Sequence, residues 1–313
     1  MAYRLSFAED VSSTLRETAR GQLVEAAALL DDTAADPVIA IHDARKDLKK
    51  TRSLLRLARP ALGRKTYRAE NDALRDAGLA LSGARDADVL VETVDKLAAR
   101  FVGQLPASDF ASVREALAQE ARSEGGAAAT PDRAAVAALL RDAAERAASW
   151  PVERAEWEDL LDGAGSAYSR GVSAFALVRE QPSTERLHEW RRRVKDLWYH
   201  QRLLEPVWPA MMKAQAKQAH RLSELLGDDH DLAVLRERLS HGITLPAGPA
   251  ADVPALFALI DERRAELQRE AVQLGRRLYA ETPQSFGRRL GRYIRAAVRD
   301  QAASANGAGS AAA

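Results

Sequence analysis

Two stretches of this chain lie over one another without a gap, and that repetition limits what the rest of it can fold into. From Ile41 the sequence reads IHDARKDLKKTRSLLRLARP, and from Leu187 it reads LHEWRRRVKDLWYHQRLLEP. His42 falls on His188, Arg45 on Arg191, Lys49 on Lys195, Arg56 on Arg202 and Pro60 on Pro206. Downstream, LSGARDADVL from Leu81 matches LLGDDHDLAVL from Leu225 with a shift of one residue; upstream, Ala19-Arg20-Gly21 matches Ser169-Arg170-Gly171. The same order of elements thus occurs twice, as expected of a duplicated unit. We read residues 1–150 as the first helical repeat and 151–300 as the second. Residues 301–313, rich in Ala, Gly and Ser, read as a disordered tail.

The unit is helical. Ala and Leu supply most of the 46% apolar residues, while runs of β-branched and aromatic residues are missing. Periodicity and punctuation predict helices over 8–31, 38–59, 64–82, 86–101, 108–123 and 132–148 in the first half. In the second half they predict helices over 154–180, 184–205, 208–226, 229–240, 253–280 and 284–300. Asp36-Pro37 and Pro182-Ser183-Thr184-Glu185 are start signals for the two His-bearing helices. The fold class expected is all-α. No cysteine is present, and no apolar run is long enough for a leader or a membrane span, so a cytoplasmic protein without a membrane partner is expected.

The net charge is only +1, yet cations crowd particular helix faces. At about 100° per residue, His42, Arg45, Lys49, Arg52 and Arg56 share an arc of roughly 80° that extends ~20 Å along the helix. Ile41, Ala44, Leu48, Leu55 and Ala58 occupy the packing side. The second copy repeats this with His188, Arg191, Lys195 and Arg202, but Trp198 stands where the first has Arg52. The first half is therefore expected to make more of the anion contacts. Solvated helix faces usually carry acidic partners at i+4, and these ladders nearly lack them. Like charges stacked this way repel unless something neutralises them, and a phosphate chain would. Guanidinium forks grip phosphate oxygens in pairs, and histidine can gain charge beside an anion. Lys46 and Arg192 on the flanks, Arg20 and Arg170 on the preceding helices, and Arg85 are further candidates. So are Arg288, Arg292 and Arg295, which with Arg299 span an arc of roughly 60°.

Other features are read as structural. Asp86 and Asp231 follow Gly83 and Gly227 and are expected to cap helices. A metal-dependent phosphohydrolase built on His42-Asp43 and His230-Asp231 is the alternative, but Arg45 and Lys49 beside His42 would repel a metal. No metal, cofactor or catalytic residue is assigned. His200 is expected in the core or an interface. Trp190 and Trp208 are expected to pack in the core rather than to stack on bases.

The paired His-x-x-Arg-x-x-x-Lys motifs at His42 and His188, with the run Leu81-Ser82-Gly83-Ala84-Arg85-Asp86-Ala87-Asp88-Val89, resemble the CHAD family, the conserved histidine α-helical domain. The resemblance extends roughly from Ala8 to Val298. It implies a pair of four-helix bundles related by pseudo-twofold symmetry, with a basic groove between them that binds inorganic polyphosphate. It also implies association with polyphosphate granules. His42, Arg45, Lys49, Arg52, His188, Arg191 and Lys195 carry over to ligand binding. The triphosphatase domain often fused to family members has no signature here, so the chain looks free-standing. Rival readings are the phosphohydrolase, a nucleic-acid binder, which a closed groove disfavours because it rejects a duplex, and a granule coat, for which no exposed apolar stripe is evident.

Overall fold

The computed structural model describes residues 3–7, 9–81, 86–125, 132–243 and 251–310, and among these it contains eleven α-helices and no β-strand. They are α1 (Val11–Asp31), α2 (Pro37–Leu57), α3 (Arg59–Ala80), α4 (Asp86–Arg100), α5 (Ala107–Gly125), α6 (Arg133–Ala148), α7 (Trp157–Glu180), α8 (Thr184–Leu203), α9 (Pro209–Ser240), α10 (Val253–Leu278) and α11 (Pro283–Ser310). The all-α fold expected from composition and periodicity is what forms.

Local chemistry sets the ends of the two ladder helices. The Asp36 carboxylate accepts from the backbone N–H groups of Val38 and Ile39 at 2.8 and 3.1 Å, and Pro37 occupies the first turn of α2. Ser183 Oγ accepts from Arg186 N–H at 3.3 Å to start α8. Helix α3 begins earlier than expected, at Arg59, and kinks at Gly63, whose φ of 70° suits only glycine.

Two other expectations are corrected. The helices expected over 208–226 and 229–240 are one continuous helix, α9, so Asp231 lies inside it and caps nothing. Inside that helix Gly227 leaves space for a neighbour: a Cβ there would lie 3.0 Å from the Arg191 guanidinium. Asp229, two residues on, is buried and accepts from Arg264 and Gln268 of α10 at 3.0 and 2.8 Å. The tail expected to be disordered continues α11 as far as Ser310. Alanine is the best helix former, and extending an existing helix avoids the cost of a new nucleus. Residues 311–313 lie outside the described set.

α2 and α8 occupy the middle of the molecule. α2 packs on α1, α3, α7 and α8, and α8 packs on α7, α9 and α2. Their apolar stripes are buried: Ala44, Leu48, Leu54 and Leu55 on α2, and Leu187, Trp190, Val194 and Leu197 on α8. Trp190 is fully buried and stacks on Phe175 at 4.7 Å, as expected. Trp208 is 45% exposed, set edge-on to Tyr293, because it precedes the first turn of α9 rather than facing the core. His200 is buried, as expected, with Nε2 3.0 Å from the Ser53 carbonyl oxygen on α2.

Gly163 on α7 marks the closest approach at this centre. A Cβ there would lie 1.9 Å from the Leu57 carbonyl oxygen, whereas one on Gly165 would meet nothing within 4 Å. Gly163→Ala should therefore destabilise the protein by about 3 kcal/mol in denaturant unfolding. Gly165→Ala, two residues away on the same helix, should be neutral or stabilising by up to about 1 kcal/mol. Equal effects would contradict the packing described.

Candidate functional site

Where α2 and α8 pack, their polar sides open a cleft of about 290 Å³. Lys49, Arg52 and Arg56 line it from α2; His188, Arg191, Arg192, Arg193, Lys195, Asp196 and Tyr199 line it from α8. Asp196 is the only carboxylate in that lining. The ladders, 146 positions apart in sequence, thus meet in one place. The larger share of the cations comes from α8, not from the first half as expected. Trp198 takes no cation's place in the cleft. It stacks on Tyr199 and His220 instead.

All of these Lys and Arg side chains but Lys49 fall into two groups. One is held by protein partners. Arg56 Nη1 donates to Asp196 Oδ1 at 2.9 Å, joining α2 to α8. Arg193 pairs with Glu189 and lies 3.9 Å from Asp196, while Arg192 donates to Glu189 at 3.1 Å. Arg52 Nε donates to Asn71 of α3 at 3.2 Å.

The other group is Arg191 and Lys195, which enter no salt bridge among the described residues. The Arg191 guanidinium lies against Gly227, and its buried Nε meets no acceptor among those residues. Burial, reinforced by Arg191 and Lys49 and only partly offset by Asp231, pushes the Lys195 ammonium down from 10.5 to about 7. His188 lies 4.8 Å from His230 of α9. Both rings are held below the ordinary histidine range, each chiefly by burial; His230 and Arg191 add to the effect on His188, and Arg191 to that on His230. In this half-buried site burial, with neighbouring cations adding to it, disfavours the charged forms of Lys195, His188 and His230. The site is suited to an anion with several charges.

The remaining candidates lie at different distances from the cleft. Its lining on α2 begins at Lys49, about one turn beyond Arg45 and two beyond His42, both half-buried on the same helix. Lys46 is exposed and 3.8 Å from Asp43. Arg20 is exposed on α1. Arg202, at the far end of α8, lies over the rings of Tyr3 and Trp198 at 5.3 and 5.5 Å, so it supports the N-terminal segment rather than the cleft. Arg170 on α7 is half-buried, within electrostatic reach of Arg193 and Arg59. Arg288 and Arg295 line a separate groove between α7 and α11, and Arg292 is exposed on α11. Arg85 lies outside the described residues, as does the side chain of Asp86.

Helical spacing does not single out Arg193, Asp196, Tyr199 or Gly227. Asp196 carries a usable signal, as a lone acid next to a ladder lysine; Gly227 carries none, because the side chain that needs its space comes from another helix.

The depressed Lys195 carries a linkage with a definite sign. Between pH 7 and 10.5 the unfolded chain holds a proton on this lysine that the folded chain does not, so folded stability rises with pH across that window. Unfolding measured from pH 7 to 10 should show the wild type gaining stability relative to Lys195→Met. A flat or falling difference would contradict the assignment.

A search of curated proteins found no match. The family model described as CHAD domain matches residues 16–240. That span starts within α1 and ends with α9, taking in both ladder helices, the cleft between them and the Gly227 notch that receives Arg191. With well over half of its 313 residues matched, the chain belongs to the CHAD family.

Proposed function

We propose that the cleft binds inorganic polyphosphate and that the protein is a binding module, not an enzyme. One observation carries this reading: α2 and α8 converge so that Arg191 and Lys195, without salt-bridge partners among the described residues, face Lys49 across a half-buried cleft. A linear phosphate chain places a negative charge on each unit, so successive units can meet successive cations. Arg191 supplies a planar fork for two phosphate oxygens, and Lys195 and Lys49 supply point charges. The cleft suits a thin chain better than a nucleic-acid duplex. Residence in the cytoplasm, at polyphosphate granules, belongs to the same proposal; no described helix is long and apolar enough to cross a membrane.

The hydrolase alternative would use the His-Asp pairs. At the His230 pair, Asp231 offsets the charge of Arg191, while Arg191 disfavours protonation of His230. Phosphate release with added divalent metal, abolished by His42→Ala, would favour the enzyme.

Titration with long-chain polyphosphate over a range of salt tests the binding reading. Affinity should fall steeply as salt rises. Combining Lys49→Ala, Arg52→Ala, Arg191→Ala and Lys195→Ala should lower the magnitude of the log–log salt slope by about 3, at ~0.7 per cation contact. Absence of binding at low salt, or an unchanged slope in the variant, would refute it. A second expectation concerns protons. Phosphate beside Lys195 should restore its charge, so calorimetry at pH 8 in buffers of different ionisation heat should detect proton uptake on binding. Lys195→Met should abolish most of it, and uptake unchanged in that variant would assign the proton elsewhere.

A further inference from the structure

The α11 arginines, expected to join the ladders, line a groove of their own. It holds about 640 Å³ and runs between α7 and α11, with Arg288 and Arg295 facing Ser166 and Ser169. Phe286, Leu290 and Ile294 bury the opposite face of α11, and this turns the cationic face outward. Arg288, Arg292, Arg295 and Arg299 follow one another at intervals of four, three and four residues, a ladder ~16 Å long. None of the four enters a salt bridge among the described residues, although Arg289, one residue round the helix, pairs with Glu281 at 2.7 Å. Asp162 is the only acid in the groove's lining. A helix that carried these cations only for solubility would have no need to set two of them along a groove.

The groove's position relative to the cleft follows from the packing. Tyr168 stacks on Phe286 at 4.1 Å, and Leu161 lies against Gly291, where a Cβ would meet it at 3.0 Å, so α7 and α11 run antiparallel. Ser169 therefore belongs to the end of the groove near Pro283 and Arg288. The next residue, Arg170, lies within electrostatic reach of Arg193, and Arg193 lines the cleft. On α7, Ser169 thus lines the groove, while its neighbour Arg170 is within electrostatic reach of a residue that lines the cleft.

We propose that the α7–α11 groove is a second phosphate-chain site, separate from the α2–α8 cleft but within reach of a long chain held there, through which the protein prefers long polyphosphate to short. This rests on the polyphosphate reading of the cleft. A short chain fills one site. A long chain held in the cleft presents its free end to the α11 ladder at high effective concentration, so the two sites bind it together.

The test compares tripolyphosphate with a chain of about a hundred units, each titrated into the wild type and into a variant combining Arg288→Gln, Arg292→Gln, Arg295→Gln and Arg299→Gln. A second variant carries Lys at the same four positions, and thermal unfolding checks that both are folded. The Gln variant should lose about tenfold or more in long-chain affinity and about 3 from its salt slope, at ~0.7 per contact, while its tighter tripolyphosphate site is unchanged. The Lys variant should recover most of the long-chain affinity. Wild-type long-chain affinity in the Gln variant, or an equal loss for both ligands, would overturn the second site while leaving the cleft intact. A wild type that binds neither ligand would overturn the cleft reading itself, and this inference with it.

Discussion

The ladders of α2 and α8 are both cationic, and the two helices are packed against each other. Repulsion between their ladders is opposed by contacts between the helices. Arg56 donates to Asp196 at 2.9 Å, and His200 Nε2 lies 3.0 Å from the Ser53 carbonyl oxygen, which it reaches as the Nε2–H tautomer. Burial lowers His200 to about 4, so at neutral pH this contact adds no further positive charge. The Arg56–Asp196 tie forms part of the cleft lining, and the His200–Ser53 contact lies outside it in the core, so protein groups alone join the two helices. The cleft cations are concentrated in advance, and at Lys195 burial first, then Arg191 and Lys49, disfavour the charged form. A multiply charged ligand that offsets this effect gains affinity without reorganising the protein.

Asp196 makes this arrangement possible. As the single acid in the cleft lining, it holds Arg56 and lies near Arg193, and it leaves Arg191 and Lys195 without a salt bridge among the described residues. Gly227 does comparable work from α9, leaving room for the Arg191 guanidinium to lie flat against the helix. The site therefore depends on groups that do not touch the ligand as much as on those that would.

Much of this is legible in the sequence, for a specific reason. A cationic stripe on one helix is written at intervals of three and four residues, so spacing alone picks out Lys49, Arg52, Arg191 and Lys195. The phase of the apolar stripe likewise accounts for the burial of Trp190 and His200. What spacing cannot convey depends on contacts between helices. Arg56 looks like a ladder cation until Asp196 is found opposite it. Arg202 has the right phase on α8 but lies beyond the cleft, over Tyr3. Gly227 followed by acids looks like a helix break, because the reason for a glycine there comes from α8. The four α11 arginines share one face by their spacing, but only the packing of α11 on α7 shows that this face borders a different groove.

The most direct test is a crystal structure of the protein with a short polyphosphate bound. The account predicts phosphate groups in the α2–α8 cleft, with oxygens within hydrogen-bond distance of the Arg191 guanidinium and of Lys195 Nζ, and Lys49 on the facing side. Phosphate bound only elsewhere on the surface, with Arg191 and Lys195 left in contact with water alone, would contradict it.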